Sequence, residues 1–321
     1  MQAIRLEETG GPEVLRLTEV DQPRPGPGEL RVRVNAAGLN FIDIYYRTGR
    51  YPMDLPGGIG QEGAGIVAAI GDGVEGFAEG DRVAWAQRLG SYAQSLIVPV
   101  DDLVAVPDGV ELEVAAAVML QGMTAHYLVH STFALGDGDT ALVHAGAGGV
   151  GQLLIQLARI AGARVLTTVS TDEKAELARK AGANEIIRYT EVDFTEEVRR
   201  LAPDGVDVVY DSVGRTTFDG SLRCLRPRGY LVLFGASSGA VDPVDPQRLA
   251  GGGSLFLTRP TLGHYIATPE ALRSRAGELF DLIARDRLRV RIDQSLPLAE
   301  AADAHRYIEG RRTRGKVLLL P

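Results

Sequence analysis

The sequence predicts an α/β protein in which a doubly wound parallel sheet follows a mainly-β domain. Three observations carry that prediction. The run Thr140-Ala141-Leu142-Val143-His144-Ala145 is a short apolar strand that feeds Gly146, Gly148 and Gly151, and Leu153, Leu154, Leu157, Ala158 and Ile160 then recur at helical spacing. From Glu111 onward a helical pattern gives way to alternating strand-like and helix-like segments, as a parallel sheet with helical crossovers requires. The first third of the chain instead holds short β-type runs separated by Gly and Pro clusters.

In chain order, Leu30 to Val34, Gly65 to Ile70, Asp81 to Trp85 and Ser95 to Val100 are predicted strands, with Pro23-Arg24-Pro25-Gly26-Pro27-Gly28 and Gly71-Asp72-Gly73 as turns. The parallel sheet is expected to use Thr140 to Ala145, Arg164 to Val169, Glu185 to Arg188, Val206 to Tyr210, Tyr230 to Gly235 and Ser254 to Thr258. Leu272 to Arg285 has the spacing of an amphipathic helix, and the tail Lys316 to Leu320 is expected to return to the first domain as an edge strand. The expected limits are 1–122, completed by 263–321, for the mainly-β domain and 123–262 for the other.

Composition narrows the function classes. At 45% hydrophobic and 24% charged residues over 321 positions the chain is globular and long enough for two domains. Its net charge of −8 leaves no broadly basic surface for nucleic acid. Cys224 is the only cysteine, which excludes an internal disulfide and a four-cysteine zinc lobe. With no apolar signal core at Met1 to Glu8 and no run near the roughly 20 apolar residues of a membrane span, a cytoplasmic protein without a membrane partner is expected.

The glycine turn has the physical features of a dinucleotide grip. Gly146 permits the tight turn out of the strand, Gly148 lets the backbone approach a pyrophosphate, and Gly151 lets the helix lie close to the strand. With Gly149 and Val150, the helix start also presents unpaired N–H groups and a positive dipole end to the phosphates. An NAD-type site carries an acid about 20 residues further on, at the end of the second strand. Here Ser170 stands there, followed by Thr171 and Lys174, with Tyr189 after the next strand. A hydroxyl and a cation in place of a carboxylate favour NADPH. Lys174 has a second reading, as a solvated charge on a helix starting near Asp172.

Taken together with Gly10-Gly11-Pro12-Glu13-Val14-Leu15, Gly38-Leu39-Asn40-Phe41-Ile42-Asp43, Tyr210-Asp211-Ser212-Val213-Gly214, Phe234-Gly235-Ala236-Ser237-Ser238-Gly239 and Thr258-Arg259-Pro260, the chain resembles the zinc-independent, zeta-crystallin-like quinone oxidoreductases of the medium-chain dehydrogenase/reductase superfamily. The resemblance covers essentially the whole chain. It implies a GroES-like catalytic domain beside a Rossmann domain, a quinone as small-molecule substrate, and a homodimer formed by adding the edge strand Ser254 to Thr258 to its symmetry mate. Zinc-dependent relatives carry cysteine and histidine ligands where this chain has Asn40 and Gln61, so no metal is expected. His126, His130, His144, His264 and His305 do not restore a ligand spacing.

The resemblance further implies that Asn40 lies beside the nicotinamide, with Asp43, Tyr45 and Thr124 forming an interdomain cleft around it. Ser170, Lys174, Tyr189 and Arg311 match its 2′-phosphate cluster, and Ser212, Phe234, Gly235, Ser237 and Thr258 line the rest of the cofactor site. Asn40 can hydrogen-bond a carboxamide or a substrate carbonyl. Tyr45, Arg47 and Tyr51 are the candidate catalytic edge, phenolic and cationic, that would stack on a quinone or polarise its oxygen. Metal-free hydride or electron transfer to a quinone is the expected reaction. Reduction of an α,β-unsaturated carbonyl and NADPH binding by an RNA-associated protein with little turnover are the alternatives.

Overall fold

The computed structural model describes residues 1–321 in two units, Met1–Met123 with Tyr265–Pro321, and Thr124–His264. The second unit is built on a six-stranded sheet in the order Glu185–Arg188, Arg164–Val169, Thr140–Val143, Val206–Asp211, Leu225–Leu233, Phe256–Thr258. Every neighbouring pair is parallel. This is the doubly wound order predicted, and strand order reverses at Thr140–Val143, so the ligand-binding crevice belongs at the carboxyl ends there. Leu142, Leu166, Ile187, Val209 and Leu231 form its core with Phe218 and Leu222 from a crossover helix.

Two strands differ from expectation. Leu225–Leu233 starts five residues before Tyr230, through Pro227 and Gly229, and its pairing with Val206–Asp211 shifts register between Val206 and Val208. The Pro and Gly that hid its beginning are tolerated at that irregularity. The last strand is shorter, Phe256–Thr258, and pairs on one side only; Phe256 is 47% exposed and stacks on Tyr230, with ring centroids 4.4 Å apart.

The first unit contains a sheet ordered Ile292–Pro297, Lys316–Leu320, Glu29–Leu39, Glu62–Ile70, Arg82–Ala86, Val104–Ala105, with Ser95–Pro99 also paired to Glu29–Leu39. A smaller sheet joins Arg16–Glu19, Gln2–Leu6 and Gly57–Gly58. Leu30, Val32, Trp85, Tyr92, Val98 and Leu319 are among its buried core. The tail is not the expected edge. Lys316–Leu320 lies inside the sheet, antiparallel to Glu29–Leu39 and parallel to Ile292–Pro297. Its unbroken apolar run already indicated this, since only a strand covered on both faces lacks alternation. The flanking strand Ile-Asp-Gln-Ser-Leu-Pro is too polar to have been recognised.

The helix Pro269–Ala284 forms three residues upstream of its predicted start, because Pro269 is well placed in the first turn and the Thr268 hydroxyl accepts from the Ala271 N–H at 3.2 Å. A further correction concerns Leu112–Thr132. It is long and apolar enough to cross a bilayer, but 78% of its apolar window is packed inside the protein, which accounts for its composition.

Candidate functional site

The chain leaves Thr140–Val143 through Ala145, held at φ 56°, and the Gly146 N–H donates to the Thr168 carbonyl at 3.2 Å. A Cβ on Gly146 would sit 2.0 Å from Thr167 Oγ1, and one on Gly151 2.3 Å from the Ala145 carbonyl oxygen. The protein's own packing therefore demands both glycines. Gly148 differs: its hypothetical Cβ meets only the Ala145 oxygen, at 3.2 Å. Directly after it the helix Gly149–Ile160 begins with no side-chain cap on its N–H groups. A bare residue at an uncapped helix start is a cradle for phosphate.

The end of Arg164–Val169 gathers three predicted residues. The Tyr189 N–H donates to the Val169 carbonyl at 3.2 Å, and the Thr190 hydroxyl to that of Ser170 at 3.1 Å. Thr171 caps the helix Asp172–Lys180 by accepting from the Lys174 N–H, which sets Lys174 in the first turn beside Ser170. The nearby carboxylates of Asp172 and Glu191 are both committed to Arg188. Arg311 lies in the other unit, exposed, at φ 55°.

A second group forms at the ends of Val206–Asp211 and Leu225–Leu233. The Phe234 and Gly235 N–H groups donate to the Asp211 carbonyl, and the Ser237 N–H to that of Ser212 at 3.1 Å. A Cβ on Gly235 would lie 2.5 Å from the Ser212 oxygen, so glycine allows the loops to touch. Thr258 closes the neighbouring strand opposite Val232, and Thr124 is the buried first residue of this unit.

In the other unit, Asn40 precedes the short helix Phe41–Arg47 and is 3% exposed. Its Nδ2 donates to Glu62 Oε1 at 2.6 Å, and its Oδ1 accepts from Gln121 Nε2 at 3.1 Å and Lys316 Nζ at 2.9 Å. Lys316 also forms a buried ion pair with Glu62, whose other oxygen accepts from the Leu120 N–H at 2.6 Å. Gly38 makes this possible, since a Cβ there would lie 2.4 Å from the Glu62 carboxylate. Burial pushes the Lys316 ammonium's pKa down, and Glu62 pulls it back up. The Asn40 amide thus has protein partners on both its nitrogen and its oxygen.

Asp43 is fully buried and spends its carboxylate inside the protein. Its Oδ2 accepts from the Asn40 N–H at 2.8 Å and the Tyr92 hydroxyl at 2.9 Å, so it fixes the entry to the helix. Burial pushes its carboxyl up to about 7, against the opposing pull of those two bonds and of Lys316. A folded-state value above the ordinary 3.8 means that this group's stabilising contribution is complete below about 4 and is lost as pH rises through about 7. Asp43→Asn keeps an acceptor for both bonds and removes the titration. Denaturant unfolding at a series of pH values is expected to show the wild type losing stability from pH 4 to 7.5 and the variant a flatter profile.

Of the candidate catalytic edge, the tyrosines come together. Tyr45 and Tyr51 meet edge to face with centroids 5.3 Å apart, and Tyr46 joins Tyr51 at 5.7 Å. Arg47 does not join them. It is 1% exposed, with two N–H groups on Glu309 at 2.7 and 3.1 Å and another contact from its guanidinium to His305 Nδ1 at 3.1 Å. Burial, and after it the positive charge of Arg47, lower the His305 pKa to about 3, so the ring is neutral and its Nδ1 accepts from Arg47. The cation on the phenolic edge is Arg50, 4.5 Å from the Tyr45 ring centre.

Both halves of this architecture have matches among known families. Residues 26–108 match the alcohol dehydrogenase GroES-like domain, and residues 149–275 the domain described as zinc-binding dehydrogenase. The quinone oxidoreductase of Pseudomonas aeruginosa is 49% identical over 322 residues, covering 99% of each chain. The chain belongs to the quinone oxidoreductase family of medium-chain dehydrogenases and reductases. It is an oxidoreductase. The crystal structure of the Escherichia coli quinone oxidoreductase complexed with NADPH superposes with a TM-score of 0.98 at 43% identity, covering all of both chains, and a 2-haloacrylate reductase from Burkholderia is 42% identical over 330 residues, covering 100% of this chain and 99% of its own.

The zinc in one matching domain's description does not fit this quinone oxidoreductase-family chain. Amides at positions 40 and 61 offer neither thiolate nor imidazole, and the Asn40 oxygen already accepts from an ammonium that repels a divalent ion. Sequence reasoning missed Lys316, Gln121 and Tyr92. Glu62 stood beside Gln61 in the sequence pattern, but a buried lysine looks like any other lysine until its carboxylate partner is placed.

Proposed function

We propose that the protein is an NADPH-dependent quinone reductase. Lys174 and Ser170, with Tyr189, around a strand end where an NAD site has a carboxylate, are the observation that carries the cofactor choice. Backbone N–H groups at Gly149 and Val150 take the pyrophosphate, the bare Gly148 leaves room for its approach, and Gly146 and Gly151 hold that turn in shape. Ser212, Phe234, Gly235, Ser237 and Thr258 line the nicotinamide half. When bound, the reduced nicotinamide supplies hydride, and a quinone plus one proton then yields hydroquinone.

A quinone suits a donor set that carries no Lewis acid, because its ring accepts electrons without one. Tyr45 and Tyr51 offer ring faces and phenol groups for stacking, and Arg50 adds positive charge at that edge. The unpaired strand Phe256–Thr258, with exposed Phe256, supports pairing with a second copy. The 42% identical 2-haloacrylate reductase supports a second reading, reduction of an activated carbon–carbon double bond.

Steady-state oxidation of NADPH and NADH with 1,4-benzoquinone, 9,10-phenanthrenequinone and a simple enone, after chelation, tests both readings. Turnover with quinones that prefers NADPH and survives chelation supports the first; turnover with the enone alone supports the second. Lys174→Ala is expected to raise the NADPH Michaelis constant about tenfold, the worth of a charged hydrogen bond, and that for NADH less than about twofold. Equal changes would remove Lys174 from the phosphate site.

A further inference from the structure

His144 lies between the glycine turn and its strand, and nothing in the reaction above uses it. It is 1% exposed, packs edge to face on Phe194 with centroids 5.0 Å apart, and has a hydrogen-bond partner on each ring nitrogen. Nδ1 is 2.9 Å from the Thr168 hydroxyl, and Nε2 is 3.0 Å from the Ser221 hydroxyl. Ser221 in turn donates to Asp211 Oδ2 at 3.1 Å. Asp211 Oδ1 accepts from the N–H groups of Val213 and Gly214 at 2.8 and 2.9 Å. Thr168, His144, Ser221 and Asp211 are all buried.

Proton directions follow from the partners. The single Ser221 proton is spent on Asp211, so His144 Nε2 must be the donor to Ser221. Nδ1 is then the acceptor, and the Thr168 hydroxyl donates to it while itself facing the Ala145 N–H at 3.4 Å. The ring is the neutral Nε2–H tautomer, in keeping with a pKa that burial lowers although Asp211 pulls it up. One continuous chain of hydrogen bonds therefore joins three strand ends. Thr168 is two residues before Ser170, His144 two before Gly146, and Asp211 directly before Ser212.

We infer that His144 is a positioning residue that holds these three loops in mutual register, so that one dinucleotide can engage all of them at once. The inference rests on the dinucleotide reading of this crevice. Without the imidazole, main-chain bonds still run from the Gly146 N–H to the Thr168 carbonyl and from the His144 N–H to the Tyr210 carbonyl, and the Asp211 carboxylate keeps Val213 and Gly214. What is lost is the side-chain tie from Thr168 through Ser221 to Asp211, which fixes the loops beyond those main-chain bonds. A ligand spanning them must then restore the register at its own cost in affinity, whereas a ligand touching one loop feels little.

The test is fluorescence titration of wild type, His144→Leu and His144→Gln with NADPH, and competition by two half-molecules that lack the pyrophosphate, adenosine 2′-phosphate and reduced nicotinamide riboside. His144→Leu is expected to weaken NADPH about tenfold while each half-molecule changes less than about twofold, and His144→Gln, which keeps a donor and an acceptor, to recover most of the loss. NADPH affinity within about twofold of wild type in His144→Leu, even with a lowered melting temperature, would make His144 an ordinary core group and overturn the inference. Half-molecules weakened as much as NADPH would overturn it too, by pointing to local damage. A wild type that binds neither NADPH nor NADH would instead remove the dinucleotide reading itself.

Discussion

Lys316→Met is expected to destabilise the protein by about 3–5 kcal/mol, the usual consequence of leaving one partner of a buried ion pair uncompensated. Glu62 is 0% exposed, and Lys316 is the cation it contacts; Asn40 and Leu120 supply only neutral donors. Removal of the ammonium strands a carboxylate in the core and frees the Asn40 oxygen from one of its two donors. The double variant Lys316→Met with Glu62→Gln has no such charge and is expected to recover most of the loss. Equilibrium unfolding in urea measures both. A single variant as stable as wild type would mean that water or a rearranged side chain reaches Glu62, and the pair would not be the anchor of Asn40.

Gly148→Ser is expected to separate stability from ligand binding in opposite directions. Gly148 is the residue before the helix Gly149–Ile160, at φ −72°, ψ 171°, a conformation open to any residue and favoured by serine as a helix cap. Stability should therefore hold or rise by a few tenths of a kcal/mol. The new side chain, however, occupies the approach of the pyrophosphate, and NADPH affinity should fall about a hundredfold, close to 2.8 kcal/mol. Gly151→Ser reverses the pattern, because its Cβ would press on the Ala145 carbonyl, and loses about 1–3 kcal/mol of stability by overpacking. Calorimetry with and without NADPH reads both quantities. Equal loss of stability at the two positions would deny Gly148 its separate role.

The parallel sheet was legible because its signals are local. Each strand of Thr140–Val143, Arg164–Val169 and Val206–Asp211 is an apolar run between turns, and Gly146 and Gly151 answer steric demands within a few residues of themselves. Misplaced features depended on distant partners. Arg47 and Arg50 are equally basic in sequence, and only Glu309 and His305, far along the chain, decide that Arg47 turns inward. The partners of the Asn40 amide were not legible because Lys316 and Gln121 come to it from other segments. Family resemblance located the position of Asn40, but its hydrogen-bond partners required the fold.

The interior place of Lys316–Leu320 also bears on the order in which the molecule is made. Residues 124–264 form an uninterrupted stretch whose six strands are all available once it has left the ribosome, and it can fold at that point. The unit that begins with Met1 has no such freedom. Glu29–Leu39 stays without a neighbour along part of its length, and Glu62 without its ammonium, until Lys316–Leu320 emerges. Synthesis therefore leaves the earlier-made strands waiting for Lys316–Leu320, with an open sheet edge and a buried-to-be carboxylate exposed in the interval, so a nascent chain stalled before Lys316 is the form most in need of a chaperone.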